Sequence, residues 1–291
     1  MKPFDYFAPQ TLGEACEILA AHNGDARAVA GGTDLLLKMK AGKLSPKAVV
    51  NIKRLPELRG ISNLQSFGFA QDRTLVSIGA LTTLEELRRS PLIRARYPAL
   101  ADAAATMASV QIRNLATVGG NLCNAAPSAD LAPILIALNA AARIVGPEGE
   151  RRVPLEAFFT GPGTTVLAPG ELLMALEAPP SNGPALYLKH APRECMDIAV
   201  VGVGLALQLN DDRYASARVA LGAVAPVPMR ARRAEAELLD GPLTPERIDR
   251  AAKVAAEACR PIDDVRGSAW YRRRMVEVLT RRGLMTLTGR G

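Results

Sequence analysis

Hydrophobic and polar positions alternate along this chain in two rhythms. In "TLGEACEILAAHNG" (residues 11–24), Leu12, Ala15 and Leu19 recur at helical spacing behind Thr11. Glu14 completes a capping box with Thr11, and Gly24 lies beyond the last turn, so the pattern predicts a first helix. "RAVAGG" then reads as a short buried strand running into a turn, and "DLLLKMKAG" as a helical turn. "AVVNI" and "TLVSIGA" have strand character. "TTLEELRRSP" predicts a second helix, with Thr82 and Glu85 as its capping pair and Pro91 as its stop. "PALADAAATMAS" predicts a closely packed helix of small residues. "DLAPILIALNAAA" is helical with Pro133 in its first turn, the one place an interior proline is tolerated. That puts residues 121–130 in the loop leading into it.

Pro, Gly, Ser and Asn cluster in "EAPPSNGPALY" (177–187) and mark a boundary. Beyond it, "MDIAVVGVGLALQL" and "ARVALGAVA" read as glycine-containing buried strands, neighbours in one sheet. "TPERIDRAAKVAAEACR" has Thr244 as N-cap and Pro245 at the first helical position; "SAWYRRRMVEVLTRRG" predicts a last helix stopping at Gly283. Strands followed by helices indicate a small α+β layer. The polar stretch 63–73 reads as a hairpin tip or insertion.

With 48% hydrophobic and 22% charged residues among 291, the chain has the composition of an ordinary globular protein. No apolar run reaches the roughly 18–20 residues of a membrane span, and the N-terminus lacks a signal core, so a cytoplasmic location is expected. Cys16, Cys123, Cys195 and Cys259 lack the close spacing of a metal or cluster site, so no metal is expected on this chain. The net charge of +7 comes from the end of the chain: basic and acidic residues number 20 and 20 before residue 213, and 16 and 9 from residue 213 on. Aromatic residues do not interleave with the basic ones, which argues against nucleic acid. The basic quarter, including Arg272–Arg274, instead reads as a solvated face or as a docking face for a protein partner.

Two glycine pairs stand out. "AVAGGTDLL" and "TVGGN" each follow an apolar run and end in a polar side chain. Glycine lets backbone N–H groups approach a ligand without an intervening Cβ, and successive N–H groups form an anion site. Two such loops suit a ligand with two linked phosphates. Neither G-x-G-x-x-G in Rossmann context nor a P-loop is present; "VGVGLA" (201–206) continues a strand and is rejected.

Together "AVAGGTDLL", "QIRNLATVGGNLCNAAPSADLAPILIAL", "ELLMALEAP" and "DDVRGSAWYRR" resemble the FAD-binding medium subunit of the molybdenum hydroxylases, the xanthine dehydrogenase and carbon monoxide dehydrogenase family. The resemblance covers nearly the whole chain. It implies an α+β fold: a two-part FAD-binding domain of the PCMH/vanillyl-alcohol-oxidase type at 1–178 (subdomains about 1–55 and 56–178), then a flavoprotein C-terminal domain at 185–291. By matching positions, Ala28, Val29, Ala30, Gly31, Gly32, Thr33, Asp34 and Leu35 form the first loop on the FAD pyrophosphate. Thr117, Val118, Gly119, Gly120 and Asn121 form the second, with Asp130 just beyond; Met107, Leu172, Leu173 and Lys189 supply further cofactor contacts.

The resemblance also implies partners: a large molybdenum-cofactor subunit and a small subunit with two [2Fe–2S] clusters, assembled as a dimer of heterotrimers. FAD here collects electrons and delivers them to an acceptor, and no residue of this chain is assigned a catalytic role. His22 and His190 read as structural, and no hydrolytic constellation is visible. Two other readings are a stand-alone FAD-dependent oxidoreductase of the same superfamily and a non-catalytic basic nucleotide-binding protein. If both loops cradle the pyrophosphate, Gly32→Val or Gly120→Val abolishes FAD retention in a folded protein.

Overall fold

Three short parallel strands open the chain in the computed structural model, which describes residues 1–64, 74–210, 213–239 and 241–289. They are β1 (Asp5–Phe7), β2 (Ala26–Val29) and β3 (Ala48–Asn51), in the order β1-β3-β2. Helix α1 (Leu12–Ala21) joins the first two and α2 (Leu35–Lys40) the last two. Thr11 caps α1 by accepting from the Glu14 N–H at 3.2 Å. The helix buries Ala15, Cys16 and Leu19 in one core with Val50 and Leu172. That core thus reaches a strand more than a hundred residues away.

Next come β4 (Ile61–Leu64) and β5 (Leu75–Gly79), then six helices: α3 (Leu84–Arg89), α4 (Pro91–Arg96), α5 (Pro98–Ala105), α6 (Val110–Arg113), α7 (Val118–Cys123) and α8 (Leu131–Ala137). Strands β6 (Ala141–Gly146), β7 (Gly149–Pro154), β8 (Phe159–Gly161), β9 (Thr164–Thr165) and β10 (Leu172–Ala178) follow. Five of these form an antiparallel sheet, β4-β5-β10-β6-β7, and β8 pairs with β9. The insertion expected at 63–73 lies, from residue 65 on, outside the described residues.

A four-stranded antiparallel sheet closes the chain: β11 (Ala185–His190), β12 (Val201–Asn210), β13 (Arg213–Gly222) and β14 (Met229–Arg230) in sequence order. Helices α9 (Arg232–Glu237), α10 (Pro245–Ala258) and α11 (Ala269–Leu287) complete it. The two glycine-containing strands are neighbours, β12 and β13. Their glycines accommodate α8. A Cβ on Gly204 would stand 2.6 Å from the Pro133 carbonyl carbon, and one on Gly222 would stand 2.6 Å from Pro133 Cγ. "VGVG" is therefore a seat for a helix, not a ligand loop.

Four local readings change. The cap of α3 is Thr83 with Glu86, one residue beyond the expected pair, and forms a reciprocal capping box. The displaced Glu85 is free to turn inward, where it is buried. The second glycine motif is itself helical: Thr117 caps α7, which contains Gly119 and Gly120. The loop before α8 is correspondingly shorter than residues 121–130. Gly283 does not end the last helix; α11 runs to Leu287, and Gly283 leaves room for the Leu205 side chain.

The basic quarter is also less open than its composition implies. Arg230 pairs with Glu235 and Glu156, and Arg281 pairs with Asp249 and Glu277. Arg272 is only 3% exposed; it binds Asp264 at 2.6 Å and donates to the Val200 and Ala223 carbonyls. Arg272 is a structural buckle and takes no part in a docking face. No helix among the described residues is long and apolar enough to cross a membrane.

Candidate functional site

A cleft of about 1150 Å³ opens where the parallel sheet, the helices α6 and α7 with the loop that follows them, and the start of β10 converge, with the segment 196–198 also in its lining. It exceeds the roughly 300–1,000 Å³ of ordinary small-molecule sites and suits an extended ligand. Ala28, Ala30, Gly31, Gly32, Thr33, Asp34 and Leu35 line one side. Met107, Thr117, Gly119, Gly120, Asn121 and Asp130 line another, and Leu172 and Leu173 complete it. Three expected residues are absent from the lining. Val29 is buried with Met39 and Val49, Val118 is fully buried in the main core, and Lys189 reaches the site through Asp130.

The two glycine pairs have different roles. Among the described residues, the backbone N–H groups of Gly31, Gly32, Thr33, Asp34 and Leu35 have no protein acceptor. Gly32 has φ +74°, the left-handed region where a side chain is strained, and this turns the loop toward α2. Five consecutive unpaired amides lining a cleft make a concave donor surface for an anion. Gly31 is also required for close packing, because a Cβ there would collide with the Leu115 carbonyl.

The amides of the second pair are already used. Val118 donates to the Thr82 carbonyl at 2.9 Å, Gly119 to Ala80 at 2.8 Å, and Gly120 to Thr117 Oγ1 at 3.0 Å. Asn121 donates to the Thr117 carbonyl at 2.9 Å. The two sets of amides are thus not equivalent, because helix formation and contacts to the turn after β5 occupy the second. Gly119 is needed for packing, since its Cβ would lie 2.7 Å from Ala80 Cβ. What this motif leaves open is a side chain. Asn121 Oδ1 is buried, unpartnered and on the cleft wall. A buried acceptor without a donor costs about 1–3 kcal/mol, so its presence points to a ligand donor. Lys38 ties the two motifs together by donating to Asn124 Oδ1 at 2.5 Å.

Asp130 occupies the N-cap position of α8 but makes no cap hydrogen bond. Its Oδ1 accepts from the Tyr187 hydroxyl at 2.7 Å and its Oδ2 from Lys189 Nζ at 3.0 Å; Lys189 also donates to the Thr106 carbonyl at 3.3 Å. Burial pushes the Asp130 carboxyl up, opposed by the charge of Lys189 and the two hydrogen bonds. Desolvation likewise pushes the Cys123 thiol, on the cleft wall, up to about 12, so it stays protonated.

The histidines lie outside this arrangement. His22 Nδ1 meets the Ile18 carbonyl at 2.8 Å, and His190 Nε2 meets the Tyr271 hydroxyl at 2.9 Å. Among the described residues, no cluster of His, Cys, Asp or Glu could hold a metal ion.

Several lining residues were missed in the sequence: Arg27, Lys43, the turn 163–165, and Met196–Ile198. The glycine-rich run "GPGTT" was a usable signal for the turn, where Gly163 has φ +74°. Nothing in the pattern marked residues 196–198.

An open backbone nest, an orphaned acceptor and a long cleft between two sheets define a site for a dinucleotide-like cofactor. Comparison with known proteins gives the class a family. The family described as "FAD binding domain in molybdopterin dehydrogenase" matches residues 2–181, and "CO dehydrogenase flavoprotein C-terminal domain" matches residues 186–287. The carbon monoxide dehydrogenase medium chain of Hydrogenophaga pseudoflava is 34% identical over 282 residues, covering 97% of this chain and 96% of that relative. The putative xanthine dehydrogenase FAD-binding subunit of Escherichia coli (strain K12) is 34% identical over 280 residues, covering 95% and 93%. Among solved structures, a reconstituted CO dehydrogenase from Oligotropha carboxidovorans superposes with a TM-score of 0.92 at 30% identity, covering 100% of this chain and 99% of that one. The chain belongs to the FAD-binding subunits of the molybdenum hydroxylase family. It is an FAD-dependent oxidoreductase subunit with the two-part fold of that family.

Proposed function

We propose that this chain is the electron-transfer subunit of a molybdenum hydroxylase complex. It receives electrons from the [2Fe–2S] clusters of a small partner subunit and passes them to an external acceptor. A large subunit carries the molybdenum cofactor and the substrate, the assembly is a dimer of heterotrimers, and it works in the cytoplasm. The chain divides into a cofactor domain at 1–178, itself in two parts meeting near residue 55, and a C-terminal domain at 185–291. The observation that carries the reading is the row of unpaired amides at Gly31–Leu35 in the lining of the same cleft as the orphaned Asn121 Oδ1.

In this reading the amides of 31–35 hold the cofactor's pyrophosphate, with Thr33 beside them. Asn121 Oδ1 accepts from a hydroxyl or N–H of the cofactor. Asp130, kept in place by Tyr187 and Lys189, presents a carboxylate to the same ligand, while Leu172 and Leu173 cover apolar surface and exclude water. Bound FAD supplies the redox chemistry, accepting electrons and releasing them in pairs. The names of the relatives support the partner assignment, because they are medium chains or FAD subunits.

Purification of the chain alone and with its co-purifying partners tests the proposal. A flavin spectrum in both preparations, with iron and molybdenum in the complex only, is the expected result. A colourless chain that does not take up added FAD overturns it.

A further inference from the structure

We infer that Tyr187, outside the cleft lining, is a positioning residue for the cofactor: from the C-terminal sheet its hydroxyl holds the Asp130 carboxylate toward the ligand. The inference rests on the cofactor reading above and extends it to a residue of the second sheet.

The geometry begins with a conflict at Asp130. An aspartate at the N-cap position of a helix ordinarily turns back to bind the N–H groups of its first turn. Asp130 does not. Tyr187 takes one oxygen at 2.7 Å and Lys189 the other at 3.0 Å, and both partners are on β11. Two residues apart on one strand, they share a face. Register then supplies the space. Lys189 pairs with Gly202 on β12, and a Cβ on Gly202 would stand 2.7 Å from the Tyr187 hydroxyl oxygen. The glycine leaves that oxygen where it is, pointed at Asp130.

The tyrosine is only 7% exposed and the aspartate 7%, so neither can exchange its partner for bulk water. Burial and the nearby Asp130 charge push the Tyr187 phenol well above its ordinary value, so it remains the donor. The charged and titratable groups meeting Asp130 are Lys189 and Tyr187, both from β11; Thr106, at the end of α5, contributes its carbonyl to Lys189. Loss of the hydroxyl leaves Oδ1 buried with one charged neighbour, free to rotate back toward α8 and easier to protonate.

The test is FAD affinity of the full chain as a function of pH, for wild type, Tyr187→Phe, Asp130→Asn and the double variant. The Tyr187→Phe chain is expected to bind FAD about ten- to a hundredfold more weakly, the range of a hydrogen bond to a charged group. Its loss of FAD on acidification should begin at higher pH than in wild type. The double variant should bind no more weakly than Asp130→Asn alone, because the tyrosine acts through the aspartate. Gly202→Ala, which displaces the hydroxyl without removing it, should shift the pH profile in the same direction and decides the matter if Tyr187→Phe does not fold. Additive penalties in the double variant, or an unchanged pH profile in Tyr187→Phe and Gly202→Ala, overturn the inference while leaving the cofactor reading intact. A wild-type chain without FAD affinity overturns the cofactor reading instead.

Discussion

Arg113 and Glu85 meet inside the protein, with Arg113 Nε 3.2 Å from Glu85 Oε2, and together they brace one wall of the cleft. The same guanidinium donates to the carbonyl of Met107 at 2.8 Å and to that of Ala108 at 3.3 Å. Both of those residues line the cleft, and Ala108 has φ +44°. Replacing Arg113 by Met leaves Glu85 and two carbonyls short of a donor, and we expect about 3 kcal/mol of lost stability. Lysine should not restore it, because one ammonium cannot span the carboxylate and the carbonyls. Urea denaturation and flavin content of the three proteins check this.

Arg88, with Arg89 and Arg113, holds the Glu85 carboxyl down at about 2 against the opposing effect of burial. A depressed carboxyl stabilises the fold fully above its unfolded value, near 4.5, and loses that contribution as pH falls toward 2. The wild-type denaturation midpoint should therefore drop over that window. Glu85→Gln should be less stable at pH 7 and show a shallower drop on acidification.

Asn121 sets stability against binding. Removing its unpartnered Oδ1 removes a cost that the cofactor-free protein bears. Asn121→Leu should melt no lower than the parent without FAD, while binding FAD at least tenfold more weakly, as follows from about 1.4 kcal/mol. Thermal melts with and without added FAD separate the two effects.

The glycines of the two motifs should divide into two classes. Gly31→Ala and Gly119→Ala drive a Cβ into backbone or an adjoining alanine, with an expected loss of about 3 kcal/mol before any ligand is considered. Gly32→Ala costs about 1–2 kcal/mol from its positive φ, keeps the fold, and should lose FAD affinity. Circular dichroism melts of the cofactor-free chains distinguish the classes.

The cysteines offer a chemical check. Burial raises Cys16, and pushes Cys123 and Cys259 up to about 12, whereas Cys195 is exposed. Alkylation of the native protein at pH 8 should label Cys195 alone, as read by peptide mass spectrometry.

Much of this architecture was legible because local chemistry and global fold agree. Thr11 and Thr244 cap the helices their sequences announce, and the apolar runs at β12 and β13 became neighbouring strands. The failures have physical causes. "TTLEELRR" contains two threonines and two glutamates in adjacent registers, and burial of Glu85 against arginines selected the later pair. Gly283 ends a helix by local rule, yet the contact with Leu205 makes it an interior residue. At the site, composition identified both glycine pairs and could not divide their labour. Whether an amide is free depends on distant acceptors, such as Thr82 and Ala80 for the second pair. Tyr187 was invisible for the same reason, since its target lies 57 positions earlier.

Pro133, seated between Gly204 and Gly222, makes the seam between the two family domains a keyed joint. A helix seated in backbone-deep notches resists gliding over the sheet beneath it. Each half in isolation would expose a face shaped for the other, and separate expression of the halves would yield two incomplete surfaces. The loop at 179–184 thus joins two family domains that the packing of α8 also holds together.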